Sequence, residues 1–258
     1  MKRVVVIRII SLIVFLGVWE ALSRSGLVLQ TILPPPSEVV VQGVLLFQIP
    51  TIWLDIYVSV YEILYGLIIG VALGLIGGGV IGSSRYLSEL SEPIFYYLAS
   101  VPKIILLPLF VLFLGIGLES KIGMSAVSAF FPILVNTALA VREVKPVYVR
   151  VGKSFGANPF QLYRKVVAPA IAGPVLSGIR LGLGVAITGA LLAETKVAQF
   201  GVGYRAIDLY SQLRIAQMYA LLALVFIVAA ALNFLLGYFI TRATRFEPQM
   251  AQGTMSLG

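Results

Sequence analysis

Apolar runs of about twenty residues, separated by short polar gaps, dominate this sequence. A helix needs about 20 predominantly apolar residues to cross the hydrocarbon core of a bilayer. Six runs reach that length, at about residues 4–22, 57–81, 94–118, 122–141, 172–194 and 217–240. Of the 258 residues, 59% are hydrophobic and only 12% are charged, which is about half the charged share of a soluble domain. The sequence therefore predicts an all-α membrane protein with six transmembrane helices in a single domain, residues 1–258.

The basic residues predict the orientation of these helices. With the N-terminus inside, twelve Lys and Arg residues fall on the cytoplasmic side and five on the opposite side, while Lys103 and Arg180 lie at span ends. Cytoplasmic loops of membrane proteins carry such an excess of positive charge. Both termini are therefore predicted to be cytoplasmic. The first run is too long for a signal-peptide core and ends without a small-residue cleavage site, so we expect it to be retained as a helix.

Composition argues against several classes of function. The net charge of +8 is scattered over short gaps and forms no stripe with aromatic residues, which argues against nucleic acid as a partner. The chain has no cysteine and no histidine, so it lacks thiolate nucleophiles, imidazole bases and the commonest metal ligands. No predicted span contains a pair of carboxylates. We therefore expect no catalytic residue, no metal site, and lipid as the surrounding medium.

One polar island interrupts the apolar pattern between the fourth and fifth spans. Residues 149–169 read VRVGKSFGANPFQLYRKVVAP. The Gly-Lys-Ser in this stretch resembles the end of a nucleotide-binding loop. Such a loop needs a glycine five positions before the first of these residues, where Val147 stands, and it follows a strand. The match is therefore interpreted as chance.

The island instead predicts two helices joined by a turn. The first covers about 143–155, the turn is Gly156-Ala157-Asn158-Pro159, and the second runs over 160–167 until Pro169 ends it. We expect this helical knob to project into the cytoplasm. Its basic residues could hold it on lipid headgroups, or its exposed aromatic residues could dock it to a protein partner.

The second span carries a glycine at every fourth position. These residues are Gly66, Gly70, Gly74, Gly78 and Gly82. Small residues at this spacing form a flat helix face, which another helix can approach closely. Packing within the subunit is favoured over contact with a second subunit, and both remain open.

Two segments outside the spans predict short helices. Three prolines at 34–36 force an extended path before Ser37 and Glu38 can begin a helix. Residues 195–216 predict a short amphipathic helix through Ile207, Leu209 and Leu213 that lies on the membrane surface. We expect both segments on the external side.

Polar residues in or beside the spans are candidates for a translocation path. They are Lys103, Asn136, Arg180, Thr188 and Glu194. Structural explanations compete with this role: Lys103 can extend to the membrane edge, and Asn136 can join two helices by a hydrogen bond. Glu194 lies near the external end, where an ion pair with Lys196 or Arg205 is favoured over proton coupling.

At these positions the chain resembles a known family. Gly156-Ala157, Phe160 and Val167-Ala168-Pro169-Ala170 are similar to the EAA loop of ABC-importer permeases, in which a fixed glycine precedes a hydrophobic-x-x-proline ending. Four further segments resemble the nitrate, sulfonate, taurine and bicarbonate permeases: LPPPSEVV (33–40), SVPKIILLPLFVLFLGIGLESK (100–121), FFPILVNT (130–137) and SGIRLGLGVAITGALLAE (177–194). The resemblance covers almost the whole chain and keeps its order.

The resemblance implies a type I importer fold in the bacterial cytoplasmic membrane, with six helices and a core of five around the path. It implies a core permease region over about 57–245 and a cytoplasmic coupling loop over 142–170. The implied partners are two cytoplasmic ABC ATPases, a second permease copy, with a homodimer favoured, and an extracytoplasmic solute-binding protein. ATP and Mg²⁺ would be bound by the ATPases, and no cofactor is expected on this chain.

The resemblance also implies which residues couple transport to ATP. They are Arg150, Lys153, Gly156, Ala157, Asn158, Pro159, Phe160 and Pro169. Gly156 would turn the loop, and residues 157–160 would enter a groove on the ATPase. The family loop usually begins Glu-Ala-Ala, whereas Arg150, Val151 and Gly152 occupy those positions here. An ATPase with acidic groups facing Arg150 would be consistent with this departure.

The expected substrate is a small nutrient anion of the nitrate, bicarbonate, sulfonate or taurine type. Related systems for thiamine precursors and riboflavin-like nutrients keep its identity open. The alternative function is an ion-coupled secondary transporter, which would carry ionisable residues inside its spans and inverted repeats. Here Lys103 and Arg180 lie near span ends, and no inverted repeat is evident. A membrane enzyme is disfavoured because the chain offers few catalytic groups.

Overall fold

The computed structural model describes residues 2–243, and all regular structure in that part of the chain is helical, with no strand. The first five helices are α1 (Lys2–Arg24), α2 (Pro36–Leu46), α3 (Pro50–Ser83), α4 (Arg85–Ser100) and α5 (Leu107–Leu114). They are followed by α6 (Leu118–Arg142), α7 (Pro146–Ser154), α8 (Pro159–Leu162), α9 (Ala168–Val197), α10 (Val202–Ser211) and α11 (Ile215–Ala243). A 3₁₀ turn, Lys103–Leu106, precedes α5, and a π turn, Tyr163–Val167, joins α8 to α9. The last residues of the predicted core region, 244 and 245, lie outside the described residues.

Five helices among residues 2–243 are long and apolar enough to cross a membrane. They match five of the predicted spans and cover Val6–Arg24, Pro50–Ser83, Leu118–Arg142, Pro159–Val197 and Ile215–Tyr238. The remaining predicted span, 94–118, is divided. Helix α4 ends at Ser100, and a shorter apolar segment, Lys103–Leu114, follows. The break lies at Pro102, because proline lacks an N–H and disfavours helical geometry in the residue before it.

The described chain divides into two compact units. Unit one comprises residues 2–61 and Leu191–Ala229, and unit two comprises Glu62–Ala190 with the described residues from Ala230 onward. Helices α3, α9 and α11 contribute residues to both units.

Unit one has an apolar core to which α2, α10 and the start of α11 contribute. Its buried members are Val39, Leu46, Ile52, Val202, Ala206, Leu209, Ala220 and Leu221. The predicted short helix after the proline run is confirmed as α2, with Pro36 in its first turn, where a missing N–H is tolerated. The proline run is tied to α1, because Trp19 Nε1 donates to the Pro34 carbonyl at 3.1 Å and Ser23 Oγ donates to the Leu33 carbonyl at 2.6 Å.

Helix α10 confirms the helix predicted within 195–216, and the three residues named for it have different environments. Val202, Ala206 and Leu209 are buried, and their spacing places them on one side of a 3.6-residue helix. Ile207 is 47% exposed and Leu213 is 80% exposed. Leu209 therefore contributes to the core of unit one, while the exposed Ile207 and Leu213 are compatible with the predicted position on the membrane surface, which stays a prediction. Leu213 lies beyond the helix end, with a left-handed φ of 57°.

Unit two packs α6 against the glycine face of α3. A methyl group added at Gly70 would lie 2.7 Å from Ala129 Cβ, and one added at Gly78 would lie 2.6 Å from the Leu134 carbonyl oxygen. Side chains therefore cannot be accommodated here without moving α6. The same close approach to α6 holds for Gly66, Gly74 and Gly82. The prediction that the glycines pack within the subunit is confirmed, because small residues let two backbones come together.

The polar island begins as predicted, with a helix and a turn. Helix α7 ends at Ser154, Gly156 turns the chain with a φ of 74°, and α8 begins at Pro159. These elements belong to unit two. The predicted knob is therefore confirmed as far as the start of its second helix.

The predicted helix end at Pro169 is wrong. Helix α8, the π turn and α9 form one continuous helical segment, Pro159–Val197. Within the π turn the Ala168 N–H donates to the carbonyl of Tyr163, five residues earlier. This longer spacing rearranges the hydrogen bonds just before Pro169, which has no N–H to donate. The helix therefore passes the proline without ending.

Candidate coupling surface and transport path

Residues 146–167 of unit two form the helical knob, which comprises α7, the turn, α8 and the π turn. Its two arms meet where Gly152 faces Leu162, because a methyl group added at Gly152 would lie 2.7 Å from Leu162 Cδ1. The Ala157 N–H also donates to the Gly152 carbonyl at 3.1 Å. Outside this contact, Phe155 is 87% exposed and Phe160 is 68% exposed. Both rings are therefore uncovered by the described chain and available for contact with a partner.

The turn at the tip of the knob has a fixed geometry. The positive φ of Gly156 favours glycine, and its N–H donates to the Lys153 carbonyl at 2.9 Å. Asn158 Oδ1 accepts from the Gln161 N–H at 2.8 Å, while Gln161 Oε1 accepts from the Asn158 N–H at 3.1 Å. This reciprocal capping box and Pro159 in the first turn fix the start of α8.

Basic side chains lie on both arms of the knob. Arg150 and Lys153 are exposed on α7, and Arg164 and Lys165 are exposed on the π turn. Residues 144–170 contain no Asp or Glu. The knob therefore combines an aromatic tip with uncompensated positive charge.

Two candidate path residues of unit two make local contacts. The ammonium of Lys103 is partly buried and lies 5.3 Å from the centroid of the Phe131 ring, within the range of a cation–π interaction. Asn136 Nδ2 donates to the Pro132 carbonyl within α6 at 2.8 Å. A methyl group added at Gly178 of α9 would lie 2.8 Å from Asn136 Cβ. Asn136 therefore lies at the contact of α6 with α9.

Two further candidates are exposed on α9 in unit two. Arg180 Nε donates to Asn233 Oδ1 on α11 at 2.5 Å. Thr188 Oγ1 donates to the Gly184 carbonyl of its own helix at 3.1 Å. Because Asn233 is neutral, its hydrogen bond orients the guanidinium without cancelling the charge.

The last candidate, Glu194, is 1% exposed and lies in unit one. Its Oε1 accepts from Ser59 Oγ at 2.6 Å, and its Oε2 accepts from the Gly203 N–H at 2.6 Å. The expected ion pair with Lys196 or Arg205 is wrong, because the Arg205 guanidinium pairs with Asp55 Oδ2 at 2.7 Å and Lys196 forms no ion pair within the described chain. Glu194 holds the start of α10 through neutral donors instead.

The family model for the inner membrane component of binding-protein-dependent transport systems matches residues 66–245. The chain belongs to this family. The taurine transport system permease protein of Escherichia coli K12 is 29% identical over 209 residues, which cover 79% of this chain and 76% of that protein. A Bacillus subtilis strain 168 protein assigned as an aliphatic sulfonates transport permease is 30% identical over 195 residues, which cover 76% of this chain and 71% of that protein.

A solved structure of the MetNI methionine ABC transporter, in an inward-facing conformation, shares the fold of this permease. The TM-score is 0.65 at 22% identity, and the match covers 76% of this chain and 99% of that chain. The predicted type I ABC-importer permease fold is therefore confirmed. The chain is a multi-pass inner-membrane subunit of an ABC importer, of a family that works with ATPases and a binding protein. The ion-coupled secondary transporter is not favoured.

Sequence reasoning missed a polar face at the start of α3 in this permease. Asp55, Ser59 and Glu62 are all buried, and their spacing places them on one side of the helix. In unit one, Asp55 Oδ1 accepts from the Gly201 N–H at 2.9 Å, and Ser59 Oγ accepts from the Val202 N–H at 2.8 Å. The spacing of the three polar residues was a usable signal, but the predicted span began after Asp55.

The Gly-Lys-Ser of the permease is part of a helix. Gly152, Lys153 and Ser154 all lie within α7, and Ser154 Oγ donates to the Arg150 carbonyl at 3.1 Å. A phosphate loop needs free backbone N–H groups in a glycine-rich turn. The described part of the chain also contains no group of three or more acidic residues placed to hold a metal ion.

Proposed function

We propose that this permease forms the translocation path for a small sulfonate, such as zwitterionic taurine or an anionic alkyl sulfonate. The relatives named for taurine and aliphatic sulfonates transport support this substrate class. Nitrate and bicarbonate, which are also small anions, are the comparison substrates. Arg180 and Lys103 in unit two supply positive charge suited to an anion.

In this proposal Lys103, Asn136, Arg180 and Thr188 contribute side chains to the path. Glu194 acts at a distance, because it holds α10 through the Gly203 N–H. The transport unit is a permease homodimer with two ATPases and one extracytoplasmic binding protein. ATP and Mg²⁺ are bound by the ATPases, so this chain carries neither a catalytic residue nor a cofactor.

The knob carries the proposed coupling to ATP, and its geometry is the single observation on which this part rests. Phe155 and Phe160 stand exposed on either side of a turn that Gly156 and the capping box of Asn158 hold in one shape. Ordered backbone beneath exposed aromatic groups lowers the entropy cost of binding a partner. The proposed coupling loop therefore spans 142–170, with Ala157, Pro159 and Phe160 entering the ATPase and Arg150 and Lys153 beside them.

The proposed mechanism is alternating access driven from the knob. Closure of the two ATPases around ATP would draw the two knobs of the dimer together, and rigid-body rocking would open the path outward. Hydrolysis would return it to an inward-facing state. The continuous helical segment Pro159–Val197 can carry this displacement directly, because no helix end separates α8 from α9. Pro169 and the π turn lie on that route.

Gly156→Pro tests the coupling. Proline cannot adopt a φ of 74° and removes the N–H that bonds to the Lys153 carbonyl. We expect normal membrane insertion, with loss of ATPase co-purification and of ATP-driven uptake in vesicles. Gly26→Pro is the matched control, because Gly26 has a φ of 77° and no neighbour within 4 Å of an added methyl group. Uptake that survives Gly156→Pro would falsify the coupling assignment.

The substrate class is tested with the reconstituted importer and its binding protein. Titration of that binding protein with taurine, an alkyl sulfonate, nitrate and bicarbonate is expected to show tightest binding of a sulfonate. Uptake of that ligand should need ATP and persist with an ionophore. A tightest ligand without a sulfonate group would overturn the proposed class, and uptake without ATP that collapses with an ionophore would support ion coupling.

A further inference from the structure

The positive charge of the knob is concentrated at one edge, the basic edge, which is defined as Arg150 and Lys153. The two residues lie three apart on α7, so their side chains are neighbours on the helix surface. Both side chains are exposed. No carboxylate within hydrogen-bonding distance of either is found among residues 2–243.

The two cations therefore lack acidic partners within their own described chain. Two more exposed cations, Arg164 and Lys165, lie on the π turn, and residues 144–170 contain no Asp or Glu. Like charges held close together repel, and this repulsion is relieved when a surface of opposite sign covers them. The aromatic tip beside the edge, Phe155 and Phe160, suits an apolar groove on the same surface.

We propose that the ATPase surface receiving this knob carries carboxylate side chains opposite Arg150 and Lys153, and that these charge pairs decide which ATPase the permease accepts. The inference rests on the proposed function and adds the chemistry of the partner. The aromatic tip supplies affinity for any groove of suitable shape. The basic edge supplies discrimination, because an ATPase with cations at the same place is repelled.

Anionic lipid headgroups are the other possible counter-charge, and the geometry favours a protein. Attraction to lipid needs positive charge near the membrane surface but no fixed backbone shape. Arg164 and Lys165 directly precede α9 and fit that requirement. Arg150 and Lys153 lie on the other arm of the knob, next to the turn that Gly156 and Asn158 fix. Binding in a groove of complementary shape needs such a fixed turn, whereas attraction to lipid headgroups does not.

A charge-rescue experiment tests the proposal. Because the chain has no cysteine, Arg150→Cys and Lys153→Cys each introduce a single thiol into the permease. The detergent-solubilised permease, free of added lipid, is bound to its own ATPase, and the dissociation constant is measured. We expect about fivefold weaker binding for each variant, the effect of one partly exposed charge pair. Coupling an ethylammonium group to the thiol should restore binding, and coupling an ethylsulfonate group should weaken it further.

Arg85→Cys is the matched control, because Arg85 is an exposed cation of unit two that already pairs with Glu89 at 2.8 Å. After reaction with either reagent, this variant should bind the ATPase as tightly as the unaltered permease. Equal binding with ethylammonium and ethylsulfonate groups at both knob positions would overturn the inference. If the added charge changes binding only when anionic lipid vesicles are present, the basic edge binds lipid headgroups. That result would also overturn the inference.

Phe160→Ala separates this inference from the proposed function. If Phe160→Ala abolishes ATPase binding while the charge at 150 and 153 has no effect, the knob docks but the acidic partner surface is wrong. If neither the aromatic nor the basic substitutions change ATPase binding, the docking assignment itself is wrong.

Discussion

Units one and two hold their helices together with different groups. In unit one, the Gly201, Val202 and Gly203 N–H groups at the start of α10 donate to buried side chains. In unit two, α3 and α6 approach each other along the glycine ladder, with no polar side chain needed at Gly70 or Gly74. Hydrocarbon provides no hydrophobic drive for helices to associate. We therefore expect the stability of unit two to depend on side-chain size and the stability of unit one to depend on side-chain charge.

Gly78→Leu is expected to have the largest effect. An added Cβ would lie 2.6 Å from the Leu134 carbonyl oxygen and 2.7 Å from Thr137 Cβ. A backbone carbonyl cannot rotate away as a side chain can, so α3 and α6 must separate. We expect the monodisperse permease peak to be lost on gel filtration in detergent.

Gly79→Leu is the control for this test, because an added Cβ at Gly79 has no neighbour within 4 Å. Its yield of monodisperse permease on gel filtration should equal that of the unaltered permease. Equal yields for the two leucine variants would show that the ladder is not a packing face and would remove the contrast between the units.

Arg205→Gln tests the polar side of the comparison. It removes the cation beside Asp55, whose side chain is fully buried. Leaving a buried charge without its partner costs about 3 kcal/mol, so we expect a clearly lower thermal unfolding midpoint in detergent. Asp55→Asn combined with Arg205→Gln should recover part of the loss, because the carboxylate charge is then gone.

Arg24→Gln is the matched control within unit one. Arg24 pairs with Glu20 at 2.5 Å, but 60% of its side chain is exposed, and such surface pairs contribute about 0.5 kcal/mol. If Arg205→Gln and Arg24→Gln lower the midpoint equally, burial does not strengthen the Asp55 pair.

The sequence was more informative for unit two than for unit one. A four-residue glycine repeat marks a helix face by itself, so the ladder was predictable, although the choice of α6 as its partner depends on tertiary packing. The pairing of Arg205 joins residues 150 positions apart, and no local pattern distinguishes Asp55 from Glu194 as its partner. The turn at Gly156 followed from local residue preferences. The continuation of the helix through Pro169 could not be predicted from local residue preferences, because it depends on a π turn.

Glu194→Gln tests the contribution of charge in unit one, because it removes the charge of the side chain and nearly keeps its size. The carboxylate of Glu194 accepts from Ser59 Oγ and from the Gly203 N–H. An amide has one oxygen and one NH₂ group, so its oxygen can still accept from the Gly203 N–H, but its NH₂ group would then face Ser59 Oγ and the Ser59 hydroxyl would lose its acceptor. An unsatisfied buried donor costs about 2 kcal/mol, and the thermal unfolding midpoint should fall accordingly.

Glu38→Gln provides the reference for this change, because Glu38 is exposed in the same unit and should tolerate an amide. A midpoint for Glu194→Gln that matches that of Glu38→Gln would mean that the shape of the Glu194 site matters and its charge does not. Unit one would then resemble unit two in depending on fit alone.

Gly79→Ala is expected to have the smallest effect, and in the opposite direction. Alanine is a better helix former than glycine, and the added methyl group at this position meets nothing within 4 Å. Where the native backbone accepts it, such a change stabilises a protein by about 0.5 kcal/mol. The same substitution at Gly70 would bring a methyl group to 2.7 Å from Ala129 Cβ and should lower the unfolding midpoint instead. Opposite signs for two identical substitutions on one helix would show that the contact with α6, and not helix propensity, fixes the residue type along the ladder.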